Sequence, residues 1–162
     1  TVSGDFKTSI TIDSLHFTNL QNLEDSVSYD LSFTVKDDVN QIAGMGIIKL
    51  PWTDAFGSMG FLTQNKRNAP FEIWQMGLGK EEKEIITLPF PSNTKLAEIP
   101  KDIHYTCGAL TYSITYKITP KALIATRELS VDKDRVNTGD YDTLKDFFTK
   151  VSIADSKQYA IK

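Results

Sequence analysis

The chain has 162 residues, 40% of them apolar and 24% charged, and a formal net charge of −3. That length suits one domain with a core of its own. The acidic balance argues against a dedicated nucleic-acid binder, and no apolar run approaches the ~18 residues of a membrane helix. A single cysteine, Cys107, excludes an internal disulfide.

The elements are announced mainly by period two. Ile10 and Ile12 suggest a first strand. In 29–35, apolar Tyr29, Leu31, Phe33 and Val35 alternate with Asp30, Ser32 and Thr34, which predicts a strand with one face on a core. The polar run 36–40 reads as a loop. Ile47, Ile48 and Leu50 form a strand stopped by Pro51. Turns are expected at 57–60 and 77–80, around the glycines. Glu84 to Leu88 is a strand stopped by Pro89, and the charged run Lys80 to Glu84 reads as exposed. Pro89, Pro91 and Pro100 make the next stretch an irregular crossover.

Leu110, Tyr112, Ile114, Tyr116 and Ile118 alternate strictly with polar residues. With the β-formers of 123–131 and the turn Thr119-Pro120-Lys121-Ala122, they predict a hairpin over 110–131. Tyr141, Leu144, Phe148 and Val151 then follow helical spacing, widened by Phe147. Thr138 or Asp140 is placed to cap that helix, and Lys150 suits the negative end of its dipole. Residues 158–161 read as a last short strand. The expected fold is mainly β: an antiparallel β-sandwich, immunoglobulin-like in broad architecture, with one C-terminal α-helix near 140–152 lying as a lid on a sheet edge or sandwich end.

The chemistry-bearing residues do not assemble into an active site. Cys107 lies three residues from His104, on the opposite face if the stretch is a strand, and no helix follows to lower its pKa. A structural thiol is expected. His16 and His104 are the only histidines, too few for a metal centre. The run Asp132, Asp134, Asn137, Gly139, Asp140 departs from the calcium-loop template at Val136 and Asn137, and reads as a solvated loop leading into the helix. The glycines at 44, 46, 77 and 79 complete no phosphate loop. No catalytic, cofactor-binding or metal-binding residue is therefore assigned, and no cofactor is expected. The candidates for an interaction are Trp52 and Trp74, which could stack on sugar rings or anchor a protein, and Arg67, whose planar fork suits a carboxylate. Core filling by the tryptophans and loop bracing by the arginine are the rival readings.

The order of elements resembles a family. Arg67-Asn68-Ala69-Pro70, within 61–70, comes first. Leu88-Pro89, Ile99-Pro100, the alternating strand 110–118 and Ala125-Thr126-Arg127-Glu128-Leu129 follow. Gly139-Asp140-Tyr141 opens a helix holding Phe147-Phe148, and Asp155, Tyr159, Ile161 and Lys162 close the chain. From Val27 to Lys162 this is similar to the uncharacterised C-terminal domain of bacterial transglutaminase-like proteins. The resemblance implies an exported protein, periplasmic or at the cell surface. It also implies a papain-like core, outside this sequence, that holds the catalytic residues. The start at Thr1 fits a fragment or a processed product. Residues 1–162 are then expected to be one non-catalytic accessory domain packing on or positioning that core, with 1–26 as a linking strand. Its partner would be the preceding domain of the same chain, with no nucleic acid and no membrane insertion. The alternative is an independent glycan- or peptide-binding module.

Overall fold

A computed structural model describes residues 10–22, 24–36, 39–53, 56, 62–91 and 94–162. The turn expected at 57–60 and residue 61 lie outside them, as do two residues of the loop at 36–40. The chain divides into two compact units, Thr1–Asn40 and Gln41–Lys162, a finer partition than the one domain suggested by length.

The first unit contains the antiparallel pair β1 (Ile10–Thr18) and β2 (Ser28–Val35). Its register explains the spacing of β1. Ile12 opposes Phe33 and Ser14 opposes Ser32, so Asp13 is an extra residue in a β-bulge. Without it, Ile10 and Ile12 would point away from Leu15 and Phe17, because the side-chain period is two. With it, Ile10, Ile12, Leu15 and Phe17 oppose Val35, Phe33, Leu31 and Tyr29 on one face. The other face pairs Thr11 with Thr34, Ser14 with Ser32, His16 with Asp30 and Thr18 with Ser28. Thr34 donates to the Asp13 carboxylate at 3.0 Å. The strand at 29–35 exists, but its apolar face is not core: Tyr29 is 46% exposed and Ile12 62%.

The second unit opens with β4 (Met45–Lys49), which β3 (Asn40–Ile42) reaches through a two-residue turn. Ala43 and Gly44 there have φ of 51° and 80°, the left-handed values that a tight hairpin of this twist requires. β11 (Gln158–Ile161) pairs with the other side of β4, Tyr159 opposite Ile48. The proline-rich crossover is more ordered than its composition suggests. The Lys95 N–H donates to the Lys162 carbonyl and the Ala97 N–H to that of Ala160, so the outer edge of β11 is covered.

The larger sheet holds β6 (Glu81–Pro89), β7 (Ile103–Thr106), β8 (Leu110–Ile118) and β9 (Ala122–Val131), in the order β6-β9-β8-β7 and antiparallel throughout. The hairpin expected at 110–131 is β8–β9, closed by the Thr119 N–H donating to the Ala122 carbonyl. Its inward register runs Leu110, Tyr112, Ile114 on β8 and Leu123, Ala125, Arg127, Leu129 on β9, all buried. The Tyr116 and Tyr159 hydroxyls meet at 2.6 Å and tie the two sheets together across the core. A short pair, β5 (Phe71–Glu72) and β10 (Arg135–Val136), lies between them in sequence.

The helix α1 (Tyr141–Asp155) buries Leu144, Phe147, Phe148, Val151 and Ala154. It runs to Asp155 rather than near 152, because Ala154 and Asp155 continue the inward stripe. Of the two expected caps, Asp140 takes the N-cap position of the helix but makes no side-chain cap bond, and Thr138 lies in a 3-10 turn, Thr138–Asp140, that leads directly into the helix. Lys150 pairs with Asp146 one turn back, at 2.7 Å, rather than with the helix end. The chain is mostly β, in antiparallel sheets with one C-terminal helix, and the sheets of the second unit form a sandwich-like fold.

Candidate functional site

The most concentrated chemistry in the chain is buried. Arg127 points inward from the middle of β9 and is 1% exposed. Its Nη2 donates to Glu84 of β6 at 2.6 Å and its Nη1 to Asp155, the last residue of α1, at 3.0 Å. The Asp155 carboxylate also accepts from the Tyr112 hydroxyl at 2.6 Å. The rings of Trp52 and Phe56 lie 4.7 and 4.2 Å from the guanidinium carbon. A planar, delocalised cation satisfies this geometry, two carboxylates along its edge and aromatic rings on it, where an ammonium would not.

Burial pushes the Asp155 carboxyl above the usual carboxylate range, against the opposing pull of Arg127 and Tyr112. Burial likewise raises Tyr112, reinforced by the neighbouring Asp155 charge. Glu84 accepts a further bond from the Thr53 N–H, so the charge centre also fixes the segment that carries Trp52. The arrangement fastens β6, β8, β9, α1 and the segment after β4 to one another. It presents no exposed nucleophile and no open coordination position.

Sequence reasoning missed this centre, and it placed Glu84 in an exposed run. In fact Glu84 is on the inward register of β6, with its side chain 19% exposed. The signal was available. Arg127 is in phase with Leu123, Ala125 and Leu129, Glu84 with Ile86 and Leu88, and Asp155 with Val151 and Phe148. Each charge stands on the apolar face of its own element.

The three candidates for an interaction part ways. Trp52 is a core residue, 7% exposed and packed on Arg127. Arg67 is half-buried, with Phe71 and Tyr141 rings 5.0 and 5.7 Å from its guanidinium carbon. Trp74 is 73% exposed. It stands in the 3-10 turn Ile73–Met76, where buried Ile73 anchors the turn and Gly77, at φ 69°, closes it by donating to the Trp74 carbonyl. The structure does not bring the three together into one site.

The remaining suspects are separate too. Cys107 is half-buried in the β7–β8 turn, where its N–H donates to the Leu110 carbonyl and Gly108 supplies φ of 77°. His104 is exposed on β7, and Asp102 accepts from the Tyr116 N–H. The acidic loop before α1 is tied down by the Thr111 hydroxyl on Asp132 and the Ile73 N–H on the Asp134 carbonyl. Among the described residues, no three His, Cys, Asp or Glu side chains are grouped to hold a metal ion. No helix among them is long and apolar enough to cross a membrane.

Residues 47–161 match the model of a family described as a domain of unknown function with solved structure, DUF3858, and the chain belongs to that family. The match runs from within β4 to β11 and leaves β1, β2 and β3 outside. Among solved structures, one from Parabacteroides distasonis, described as a "putative protease", is similar over 72% of this chain with a TM-score of 0.56 and 17% identity. At that identity the likeness is one of fold. The chain corresponds to 23% of that protein's length. Comparison with the curated proteins gives no match.

Proposed function

We propose that this chain is a non-catalytic accessory module of a longer, exported enzyme, and that it packs on or positions a catalytic core of the transglutaminase-like, papain-like class. The observation that carries the reading is the apolar face of the β1–β2 pair. Eight apolar side chains stand together on one side, all polar ones on the other, and Ile12, Leu15, Phe17 and Tyr29 are each 46% exposed or more. A two-stranded ribbon is marginal in water without something on its apolar side. This face is the contribution the module makes to its neighbour. The similar structure supports the reading through its length, since the matched part is less than a quarter of it. The buried charge centre supports it through the absence of exposed chemistry around Arg127.

An immunoblot of the source cells, using an antibody against this domain, tests the reading. A band far above 18.2 kDa is expected, and a band near 18.2 kDa would sink it. Co-expression with the rest of the chain should then protect the amides of β1 and β2 from hydrogen exchange; domains that tumble freely would count against packing.

A second reading, an independent glycan- or peptide-binding module, rests on the exposure of Trp74. It expects Trp74 emission to change with a glycan or peptide, and the change to vanish in Trp74→Ala. Emission indifferent to a broad ligand set would remove it.

A further inference from the structure

The sheets of the second unit end on several edge strands, and most are short or closed. The N–H groups of Lys95 and Ala97 cover β11. β3 is three residues long and β7 four. Beyond the end of β7, the Asp102 carboxylate accepts the Tyr116 N–H of β8. β6 differs. It runs for nine residues along one side of the larger sheet and, among the described residues, pairs with β9 alone.

The register identifies which groups this edge offers. Just outside the paired stretch, the Val131 N–H donates to the Lys80 carbonyl at 2.9 Å and the Phe90 N–H to the Lys121 carbonyl at 2.7 Å. Both bonds continue the β6–β9 register, at even positions on the β6 side. Hydrogen-bonded pairs alternate in an antiparallel ladder, so Glu82, Glu84, Ile86 and Leu88 direct their N–H and C=O groups to β9. Glu81, Lys83, Ile85 and Thr87 direct theirs away from the sheet, at intervals of about 6.8 Å. Among the described residues, none of those outward groups has a hydrogen-bond partner.

A long edge is usually blunted by a bulge, a central proline or a charge directed over it. β6 pairs with β9 without a register shift, and its proline, Pro89, is its last residue. Its lysine, Lys83, is turned back across the sheet onto Glu128 of β9. Ile85 stands at the centre, 58% exposed. Glu84 is matched by Arg127, but among the described residues Glu81 and Glu82 form no ion pair. The open edge is therefore negative in its first half and apolar in its second.

We propose that the outer edge of β6 is a docking site for an extended polypeptide, apolar in its leading half and basic in its trailing half, which adds antiparallel to the sheet. The main-chain groups of Glu81, Lys83, Ile85 and Thr87 hold its backbone, as in strand addition generally. Its apolar side chains pack beside Ile85, and its cations meet Glu81 and Glu82. A second copy of β6 is a poorer occupant. The antiparallel match that sets Ile85 on its own counterpart places Pro89 opposite Glu81, so the acidic end gains no cation. The edge uses neither the β1–β2 face nor Trp74, so this inference and the two functional readings stand or fall separately.

The test titrates the full 162-residue chain with the capped peptide Thr-Val-Thr-Val-Thr-Thr-Lys-Lys, and with a version ending in Glu-Glu, while amide exchange is followed by NMR. The Lys-Lys peptide should slow exchange at Glu81, Lys83, Ile85 and Thr87 by about tenfold and leave the amides bonded to β9 unchanged. The Glu-Glu peptide should bind several-fold more weakly. Ile85→Pro removes one outward N–H without touching the β9 ladder, and should weaken binding by about tenfold. Glu81→Lys leaves the backbone intact and should shift the preference toward the Glu-Glu peptide. Protection that is absent, that falls outside β6, or that survives intact in Ile85→Pro overturns the site. Equal affinity for the two peptides, or a preference unmoved by Glu81→Lys, overturns the basic partner. Protection of the same four amides that rises with protein concentration before peptide is added gives the edge to a second copy and overturns the assignment to another polypeptide.

Discussion

At the scale of single residues, the fold depends most on a cation that has left water. Arg127 holds Glu84 and Asp155 in a space lined by Trp52 and Phe56. Removing the guanidinium strands two carboxylates, one of them buried, so Arg127→Ala should cost about 3–5 kcal/mol in urea unfolding. A loss below ~1 kcal/mol would mean that water reaches the centre. The same centre makes stability depend on pH. The folded Asp155 carboxyl is raised above its ordinary 3.8 by burial, so the folded state holds that proton more tightly than the unfolded chain does. Its contribution is whole below about pH 3.8 and is lost as pH rises through the raised folded value. Between pH 3.8 and neutrality the urea midpoint of the wild type should therefore fall relative to that of Asp155→Asn. Parallel midpoint curves would show that Asp155 titrates alike in both states.

At the scale of elements, two departures from regular geometry set the strands in place. The bulge at Asp13 absorbs one residue, and the apolar phase of β1 continues past it. Deleting Asp13 leaves strict alternation from Ile10 to Thr18. The variant should keep Ile12 opposite Phe33 and Leu15 opposite Leu31, as read from cross-strand NOEs, while losing the bond from Thr34. A shifted register would show that the bulge specifies the pairing rather than tolerating an insertion. In the β3–β4 turn, Ala43 adopts φ of 51°, which favours asparagine or glycine over alanine. Ala43→Asn should raise stability by about 0.5–1 kcal/mol. Equal or lower stability would show that the alanine conformation there is not strained. The helix illustrates the opposite case. Its apolar stripe made its existence plain, but its start is built by a 3-10 turn with no side-chain cap, a detail of backbone path rather than of residue type.

At the scale of the whole molecule, the prediction is one of context. The family model begins at residue 47, the similar structure is more than four times the length of the matched part, and the β1–β2 ribbon carries more apolar surface than two strands can use. On the proposed accessory reading, the chain joined to a neighbouring catalytic core should show slowed exchange at β1 and β2 and little change in the buried amides of β8 and β9. Exchange slowed only in the second unit would move the contact there. How much of this was legible beforehand follows from the range of the interactions. Period two wrote β2, β8 and β9 into the sequence, and the 3.6-residue stripe wrote α1, because alternation and helical spacing are properties of neighbours along the chain. The same alternation identified an apolar face on β2 without saying whether anything covers it. Nor could it say that Trp52 would be buried against Arg127 while Trp74, in a tight turn, stays in water. The inward phases of Arg127, Glu84 and Asp155 were each present in the sequence. That the three meet was decided by β6 lying beside β9 and by α1 ending over them, because the pairing joins positions 28 and 43 residues apart. Local periodicity determines which side of an element is apolar; only the tertiary structure decides what that side meets.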